Sequence, residues 1–382
     1  PLTMGTDYTI VYQNDTTNAG KVKFTVVGLG YYTGAITKAY TIKPIAAEAS
    51  AFTFTGVPAS RPYVDTGVTI PTAGITYTDA NGPHPLEQGK DYKLAYGNNK
   101  KVGTAKITAT FMGNYKGSKA KLAEFEITQA TLTNQTAKIV IPDKVYNKPA
   151  VYKSVPYVSV NGVEVKSSEY TVKYYTSGTK AADGTITIDT DTEMGSKNKI
   201  DLDNPEVRSS APVYVEITGK GKNYADTMKL TASYYVRRMP QSTNEGTSAL
   251  DLSKAKITVY KDWSVDKNTD AATNKAMKSN KMEYTGVAIE PGVMIEIKNG
   301  RETTTLYPKD VEELRKGQNP KLTVSYVNNV NKGKATIVIN GDGVNYVGGK
   351  TVTFSITTKN LKDTDILVNL FNDISRIIQG GQ

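Results

Sequence analysis

Short runs in which apolar and polar residues alternate fill most of the chain, and such runs predict β-strands with one buried and one wet face. Tyr8, Ile10 and Tyr12 share one face of the first run, and Val22 and Phe24 share one face of the next. Clusters of Gly, Asn and Thr separate the runs at a spacing of roughly 8–12 residues, which is typical of β-sandwich domains.

The strand pattern recurs four times along the chain. Each copy has Asp-Tyr or a related start, a strand ending in Tyr, an Asn-rich turn, a strand, a Gly-x-Tyr turn and a closing strand. The copies run over 7–42, 91–127, 169–236 and 320–356, and an insertion splits the third. A recurring unit of this kind predicts an array of similar modules.

An opening phrase precedes the later copies and completes the repeating unit. It combines an aromatic residue, a polar residue, a Gly or Lys, and a Pro a few residues on, with Phe54, Tyr146 and Tyr284 as the aromatics. We therefore predict a partial module at 1–44 and full modules at 45–129, 130–238 and 252–359. The third carries an insertion at 181–210, whose acidic, Asn- and Ser-rich sequence predicts a solvated, projecting hairpin or loop. A linker spans 239–251, and the fourth module carries an insertion at 261–281.

Two segments follow the helical period instead. The stretch 309–317 predicts a short helix inside the fourth module. In the tail, 360–382, apolar residues recur at i, i+3 and i+4, which predicts an amphipathic helix ending at Gly380. This tail helix either docks on the last module, begins a further domain or binds a partner.

The Gly-x-Tyr turns indicate a structural role for the tyrosine at the end of each turn. Gly and Asn tolerate the left-handed conformation, and a Tyr leaving the turn can bury its ring and tie its hydroxyl to the backbone, as in the tyrosine corner of Ig-like domains. We interpret four tyrosines as structural on this basis: Tyr32, Tyr115, Tyr224 and Tyr346.

The first copy resembles the Ig-like tandem repeats of large surface and secreted proteins of gut Firmicutes. The matching residues are Asp7-Tyr8, Asn18-Ala19-Gly20 and the run from Gly28 to Gly34. The second and fourth copies match with small drift, and the third keeps only its ends. The resemblance implies an all-β chain of tandem Ig-like sandwiches arranged as an elongated rod, outside the cell, serving as a stalk or adhesive region. Some members of this family bind glycans or host proteins such as immunoglobulins.

Composition narrows the chemistry. The 382 residues include no Cys and one His, and the net charge is +10. Thiol catalysis and Cys-ligated zinc are therefore excluded, and His84 lies in a Gly-Pro-His-Pro turn without a predicted partner. The charge suits an anionic partner such as wall polymers, acidic glycans or nucleic acid, but the spread of the lysines favours a solvated basic surface. Lysines are spread over every strand and arginine is scarce, so we predict no nucleic-acid binding. No apolar run reaches 18 residues, so we predict no membrane span.

Few residues stand out as site candidates. Trp263, in the polar insertion, is the one tryptophan, and Tyr174 and Tyr175 are adjacent aromatics; we consider these three as ligand contacts. The acidic insertion begins like a calcium loop at Asp189 and Asp191, but Met194 stands where that loop needs Gly and Ile200 where it needs Glu. We predict no cofactor, and a calcium site of another kind near Asp189, Asp191, Asp201 and Asp203 stays open as an alternative.

We predict a non-enzymatic cell-surface adhesin or stalk region with an extracellular location. Its partner would be a host glycoprotein, an immunoglobulin or a glycan, bound by loops of the third and fourth modules. Two alternatives stay open at this point. One is a host-protein binder that uses sheet edges or faces, and the other is an accessory region of a larger secreted carbohydrate-active enzyme.

Overall fold

The computed structural model describes residues 1–203, 209–240, 247–261 and 278–359. These residues fall into two compact units, one up to Ala130 and one from Thr131 onward. The predicted tail helix and Trp263 lie outside the described residues. Within the described part of the chain, no helix has the length and apolar character needed to cross a membrane.

The first repeat forms one three-stranded antiparallel sheet in the order β1-β2-β3. Its strands are β1 (Tyr8–Tyr12), β2 (Gly20–Gly28) and β3 (Ala35–Ile42). The register pairs Tyr12 with Phe24 and Val22 with Tyr40, so these aromatic and aliphatic residues share one face.

The second module is a sandwich of two sheets, with strand orders β4-β6-β7 and β5-β10-β9-β8. The core between them contains Phe52, Ile75, Tyr92, Ala109 and Phe111. A 3₁₀ turn, Ala49–Ala51, leads into the first strand. The strands are β4 (Phe52–Thr55), β5 (Ser60–Pro62), β6 (Gly74–Asp79), β7 (Gly82–Pro85), β8 (Tyr92–Gly97), β9 (Gly103–Phe111) and β10 (Lys121–Thr128).

The third module repeats this plan with sheets β11-β13-β14 and β12-β19-β18-β15, and adds the hairpin β16-β17. Its strands are β11 (Lys138–Val140), β12 (Lys144–Val145), β13 (Tyr157–Val160), β14 (Val163–Glu164), β15 (Tyr170–Tyr175), β16 (Gly178–Lys180), β17 (Ile186–Ile188), β18 (Ser210–Gly219) and β19 (Lys229–Arg237).

The fourth module has sheets β21-β23-β24 and β22-β28-β26-β25 and a short pair, β20-β27. The helix predicted at 309–317 is confirmed as α1 (Pro308–Arg315). The strands are β20 (Leu250–Asp251), β21 (Lys256–Tyr260), β22 (Lys281–Glu283), β23 (Gly292–Asn299), β24 (Glu302–Leu306), β25 (Leu322–Val327), β26 (Gly333–Gly341), β27 (Tyr346–Val347) and β28 (Gly349–Thr357).

Each of these three modules joins an opening half to a second half by the same device. The second half supplies three antiparallel strands, and the opening half adds one short strand parallel to the closing strand. The parallel pairs are β5 with β10, β12 with β19, and β22 with β28. The predicted fold class, all-β with tandem Ig-like sandwich modules, is confirmed by this arrangement.

Tyrosine hydroxyls tie the two halves together a second time. Tyr96, Tyr174 and Tyr326 occupy the same place near the end of the first strand of the second half. Their hydroxyls donate to backbone carbonyls of the opening half: Ile70 at 3.2 Å, Ser154 at 2.8 Å and Pro291 at 2.7 Å. A buried hydroxyl needs such a partner, so we infer that this tyrosine fixes one half against the other.

The insertion at 181–210 differs from its prediction as a solvated, projecting hairpin or loop. It begins within the hairpin of β16 and β17, but its second part returns to the module, where Met194, Ile200 and Leu202 are buried. Ile200 exchanges backbone hydrogen bonds with Ala150 at 3.0 and 3.2 Å. Burying these three apolar side chains is favourable, and this holds the segment against the module although acidic residues surround them in sequence.

The glycine that opens the Gly-x-Tyr turn of the third module has no room for a side chain. A Cβ at Gly219 would lie 2.0 Å from the carbonyl oxygen of Ala225. We expect Gly219→Ala to lower the free energy of unfolding by about 1–3 kcal/mol, because the backbone must shift. Gly195→Ala is the matched control, since a Cβ there meets nothing within 4 Å. Urea unfolding of both variants checks this, and equal losses would contradict it.

Candidate functional site

The predicted ligand contacts Tyr174 and Tyr175 lie on β15, and both are buried. The Tyr174 hydroxyl donates to Ser154, and its ring meets that of Tyr234 edge-on at 6.5 Å. Burial also raises the pKa of both hydroxyls. Both rings are largely covered, because the segment after them returns to the strand and the Met194 amide donates to the Tyr174 carbonyl at 2.7 Å. Ligand contact by either residue stays a prediction.

The four tyrosines of the Gly-x-Tyr turns have different environments. Tyr224 and Tyr346 are buried. Tyr115 is half-buried and packs edge-on against Tyr77, with a ring separation of 5.3 Å, whereas Tyr32 is exposed. The interpretation as packing residues therefore suits three of the four. The backbone ties described above are made by another set of tyrosines, one strand earlier.

The acidic insertion does not assemble into a metal site in the described residues. Asp189 accepts a hydrogen bond from the backbone of Asp191 at 3.3 Å. The Tyr146 hydroxyl donates to Asp203 at 2.9 Å, and the Asp201 carboxylate lies 3.3 Å from the same oxygen. The described ranges contain no group of three or more acidic, His or Cys side chains placed to hold a metal ion. Calcium binding near these four aspartates stays a prediction.

Arg237 and Arg238, the densest basic cluster of the sequence, serve the third module itself. The Arg237 guanidinium lies 4.1 Å from the Tyr235 ring and 3.5 Å from the Asp143 carboxylate. Arg238 stacks on Tyr146 at 5.2 Å and donates to the Leu202 carbonyl at 2.8 Å. Both guanidinium groups thus have internal partners, as is typical of structural arginines.

His84 lies on β7 and pairs with Asp79 at 3.0 Å, with both side chains partly exposed. The hydrogen bond from the imidazole lowers the pKa of Asp79. The ring also lies 6.1 Å from that of Tyr77. This contact joins the two strands of the β6–β7 hairpin at the surface.

A groove lies in the fourth module, at the end of the parallel pair β22/β28. It encloses about 910 Å³. Charged and polar side chains dominate its lining, with one exposed aromatic among them. We call it the Tyr284 groove, and its lining includes Lys261, Lys281, Glu283, Tyr284, Glu290 and Lys359.

Backbone hydrogen bonds hold the floor of the Tyr284 groove. The Tyr284 amide donates to the Thr357 carbonyl at 2.9 Å, and the Thr357 hydroxyl donates to the Met282 carbonyl at 3.0 Å. Met282 and Pro291 are buried below, while Lys281 and Glu283 point outward from β22. Strand pairing therefore fixes the positions of the groove side chains, as a pre-formed site requires.

Register shows why Tyr284 differs from its counterparts. The amides of Tyr63, Tyr146 and Tyr284 donate to the equivalent carbonyls of Thr128, Arg237 and Thr357, at 2.9, 2.8 and 2.9 Å. The structure thus corrects the sequence alignment, which gave Phe54 this place instead of Tyr63. Tyr63 and Tyr146 are buried, with hydroxyls on Asp65 and Asp203, whereas Tyr284 is 40% exposed.

Sequence reasoning missed the Tyr284 groove, although it had noted Tyr284 in the opening phrase. The available signal was the local composition: in the second and third modules an Asp partners the hydroxyl, two residues after Tyr63 and in the insertion for Tyr146. Thr285 and Gly286 follow Tyr284 instead. Trp263, the candidate from the neighbouring insertion, lies outside the described residues.

No family model matches the sequence, and no curated protein matches it either. Among solved structures, the extracellular cadherin domains 1–4 of protocadherin gamma B7 are 9% identical, with a TM-score of 0.20, over 89% of this chain and 84% of that one. A SusE-like surface-located polysaccharide-binding protein from the heparin utilisation locus of Bacteroides thetaiotaomicron is 10% identical, with a TM-score of 0.15, over 92% and 63%. At such values none of their functions transfers to this chain.

Proposed function

We propose that this chain is a non-enzymatic, extracellular adhesive or binding array, and that the Tyr284 groove of the fourth module binds an acidic glycan. The observation that carries the proposal is the lining of the groove. Three lysines and an exposed tyrosine ring surround an open cleft whose floor is fixed by strand pairing.

The charges of the groove suit sugars that carry carboxylate or sulfate groups. Three lysines, Lys261, Lys281 and Lys359, and two carboxylates border the same cleft, so its lining has an excess of one positive charge in a chain of net charge +10. Positive charge concentrated in a cleft attracts anions and speeds their association. The attraction is screened by salt because the lysines are exposed.

The remaining groove side chains suit the neutral parts of a sugar. Tyr284 offers a flat apolar ring with a polar tip, which favours contact at a wet surface. Glu283 and Glu290 offer carboxylate oxygens that accept hydrogen bonds from hydroxyl groups. A few polar groups around one aromatic ring give orientation and specificity.

The composition supports a binding role over catalysis. The one histidine is engaged with Asp79 in a surface hairpin, and the sequence has no cysteine. A Cys–His pair is excluded because the sequence has no thiol. A Ser–His pair would need the histidine that already contacts Asp79.

A binding screen tests the proposed function. The purified chain is applied to arrays of sulfated, carboxylated and neutral glycans, host glycoproteins and immunoglobulins. We expect saturable binding to acidic glycans that weakens as salt rises. Tyr284→Ala should weaken it by about tenfold, or ~1.4 kcal/mol. Tyr31→Ala, which removes a fully exposed tyrosine of the first repeat, is the control and should leave it unchanged. Binding that survives Tyr284→Ala, or that selects immunoglobulin alone, would contradict the proposal.

A further inference from the structure

The sheet of the first repeat exposes an aromatic face. Tyr12, Phe24 and Tyr40 form a ladder across β1, β2 and β3, with 6.1 Å between neighbouring ring centroids. Tyr12 is 52% exposed and Tyr40 is 42% exposed. Asn18 and Ala19, outside the three strands, make hydrogen bonds from this repeat to Asn114 of the second module.

The same positions are covered in the three sandwiches of this chain. The strand registers make Phe125, Tyr234 and Phe354 the counterparts of Tyr40, and they are 2%, 2% and 1% exposed. The counterparts of Phe24 are fully buried as well: Ile107, Val215 and Ile337. In the fourth module Ile337 and Phe354 share one core cluster with Val293, Ile295 and Ile297 of the opening half. In the third module the Tyr234 hydroxyl donates to the Tyr152 carbonyl of the opening half.

The outer edge of β3 also has counterparts that carry an added strand. The amides of Glu126 and Ser355 donate to opening-half carbonyls of Ala59 and Asn280 at 2.9 and 2.7 Å, and that of Tyr235 donates to the Asp143 carboxylate at 2.8 Å. The equivalent residue of the first repeat is Thr41. In the described part of the chain, β3 pairs with β2 alone.

We propose that the first-repeat sheet is an acceptor surface for an opening half-sheet, a polypeptide segment of the kind formed by residues 45–90. Such a segment adds a short strand parallel to β3, bonded to the Thr41 amide and the Lys43 carbonyl. Its own sheet covers Tyr12, Phe24 and Tyr40. Strand addition of this kind obtains affinity from main-chain hydrogen bonds and specificity from side-chain pockets.

Two side chains on the face define the chemistry of the partner. Tyr12 is the counterpart of Tyr96, Tyr174 and Tyr326, whose hydroxyls donate to carbonyls of the opening half. We therefore expect the Tyr12 hydroxyl to donate to a backbone carbonyl of the incoming segment. Lys38 stands opposite Phe24, whereas its counterparts are Ala123, Ala232 and Val352. An amine in this place favours an opening half that carries a carboxylate beside it, so residues 45–90 should bind here more tightly once Lys38 is replaced by alanine.

The experiment attaches residues 45–90 through a flexible Gly/Ser linker ahead of Pro1 of the full chain, and measures hydrogen exchange at Thr41. Tethering gives an effective concentration on the order of millimolar. We expect exchange of the Thr41 amide to slow by about tenfold or more relative to the untethered chain, and to slow further in Lys38→Ala. Tyr40→Glu, which places a charge under the incoming sheet, should return exchange to the untethered rate.

Two results would overturn the proposal. One is equally fast exchange at Thr41 with and without the segment, in both the unmodified and the Lys38→Ala chains. The other is protection of Thr41 that rises with protein concentration in the untethered chain, because a second copy pairing edge to edge would then be the occupant. Loss of glycan binding by Tyr284→Ala has no bearing on either result.

Discussion

Replacing Phe52 with alanine should lower the free energy of unfolding of the second module by about 3–5 kcal/mol. Phe52 is fully buried between the two sheets of that module. Its ring stacks on Phe111 with 3.8 Å between centroids, and the Tyr77 and Tyr115 rings lie at 5.4 and 6.2 Å. Removing the ring loses its burial and leaves a cavity that the two hydrogen-bonded sheets cannot close.

Leu122→Ala is the matched control for this prediction, because Leu122 is an exposed apolar residue of β10 in the same module. Its loss should change stability by less than about 0.5 kcal/mol. Chemical unfolding followed by far-ultraviolet circular dichroism measures both variants. If Phe52→Ala costs no more than Leu122→Ala, the two-sheet core described for this module is wrong.

The chain should unfold more easily as the pH rises from 10 to 12, because buried tyrosines resist ionisation. Burial raises the pKa of Tyr326 from its usual value of 10.0 to about 12, although Arg315 nearby opposes the shift. Between these values the folded chain keeps a proton that the unfolded chain has lost. Stability is therefore complete below pH 10 and falls through this window, by about 3 kcal/mol for Tyr326 alone. Burial raises the pKa of Tyr170 to about 12 as well.

Tyr326→Phe separates this effect from general alkaline damage. At neutral pH the variant leaves the Pro291 carbonyl without its 2.7 Å hydrogen bond, so we expect it to be about 1 kcal/mol less stable. Between pH 10 and 12 the unmodified chain loses stability faster, so the two curves should converge and cross. Urea unfolding at a series of pH values measures this, and parallel curves would contradict the assigned role of Tyr326.

The repeated phrases were sufficient to predict the fold class. The alternation around Val22 and Phe24, the turn glycines and the fourfold recurrence are local features, and a β-sandwich depends on just these. The α1 helix was predicted for the same reason, since its period is visible in nine residues of sequence.

The positions that depend on contacts between distant strands were harder to predict. Tyr174 drew attention in the sequence as one of two adjacent aromatics, whereas its burial depends on Ser154, twenty residues earlier, whose carbonyl accepts its hydroxyl hydrogen bond. Met194 and Leu202 were assigned to a solvated segment because acidic residues surround them. In both cases tertiary packing overrides the local composition.

The Tyr284 groove could not be predicted from local sequence either. Phe54 was aligned with Tyr284 by phrase, but the hydrogen-bond register assigns that place to Tyr63. Tyr284 is exposed, whereas its counterparts Tyr63 and Tyr146 are buried, and this difference cannot be read from the sequence of one module. A site defined by the end of a parallel strand pair has no signature in a single segment of sequence.

The most direct test of the binding role is a map of backbone amide chemical shifts during titration with a sulfated oligosaccharide. We expect saturable shifts concentrated in residues 279–285 and at Thr357, on the floor of the Tyr284 groove. Those shifts should disappear in Tyr284→Ala and persist in Tyr31→Ala. Saturable shifts centred on another module, or none at any module while the chain stays folded, would contradict the assignment of ligand binding to this groove.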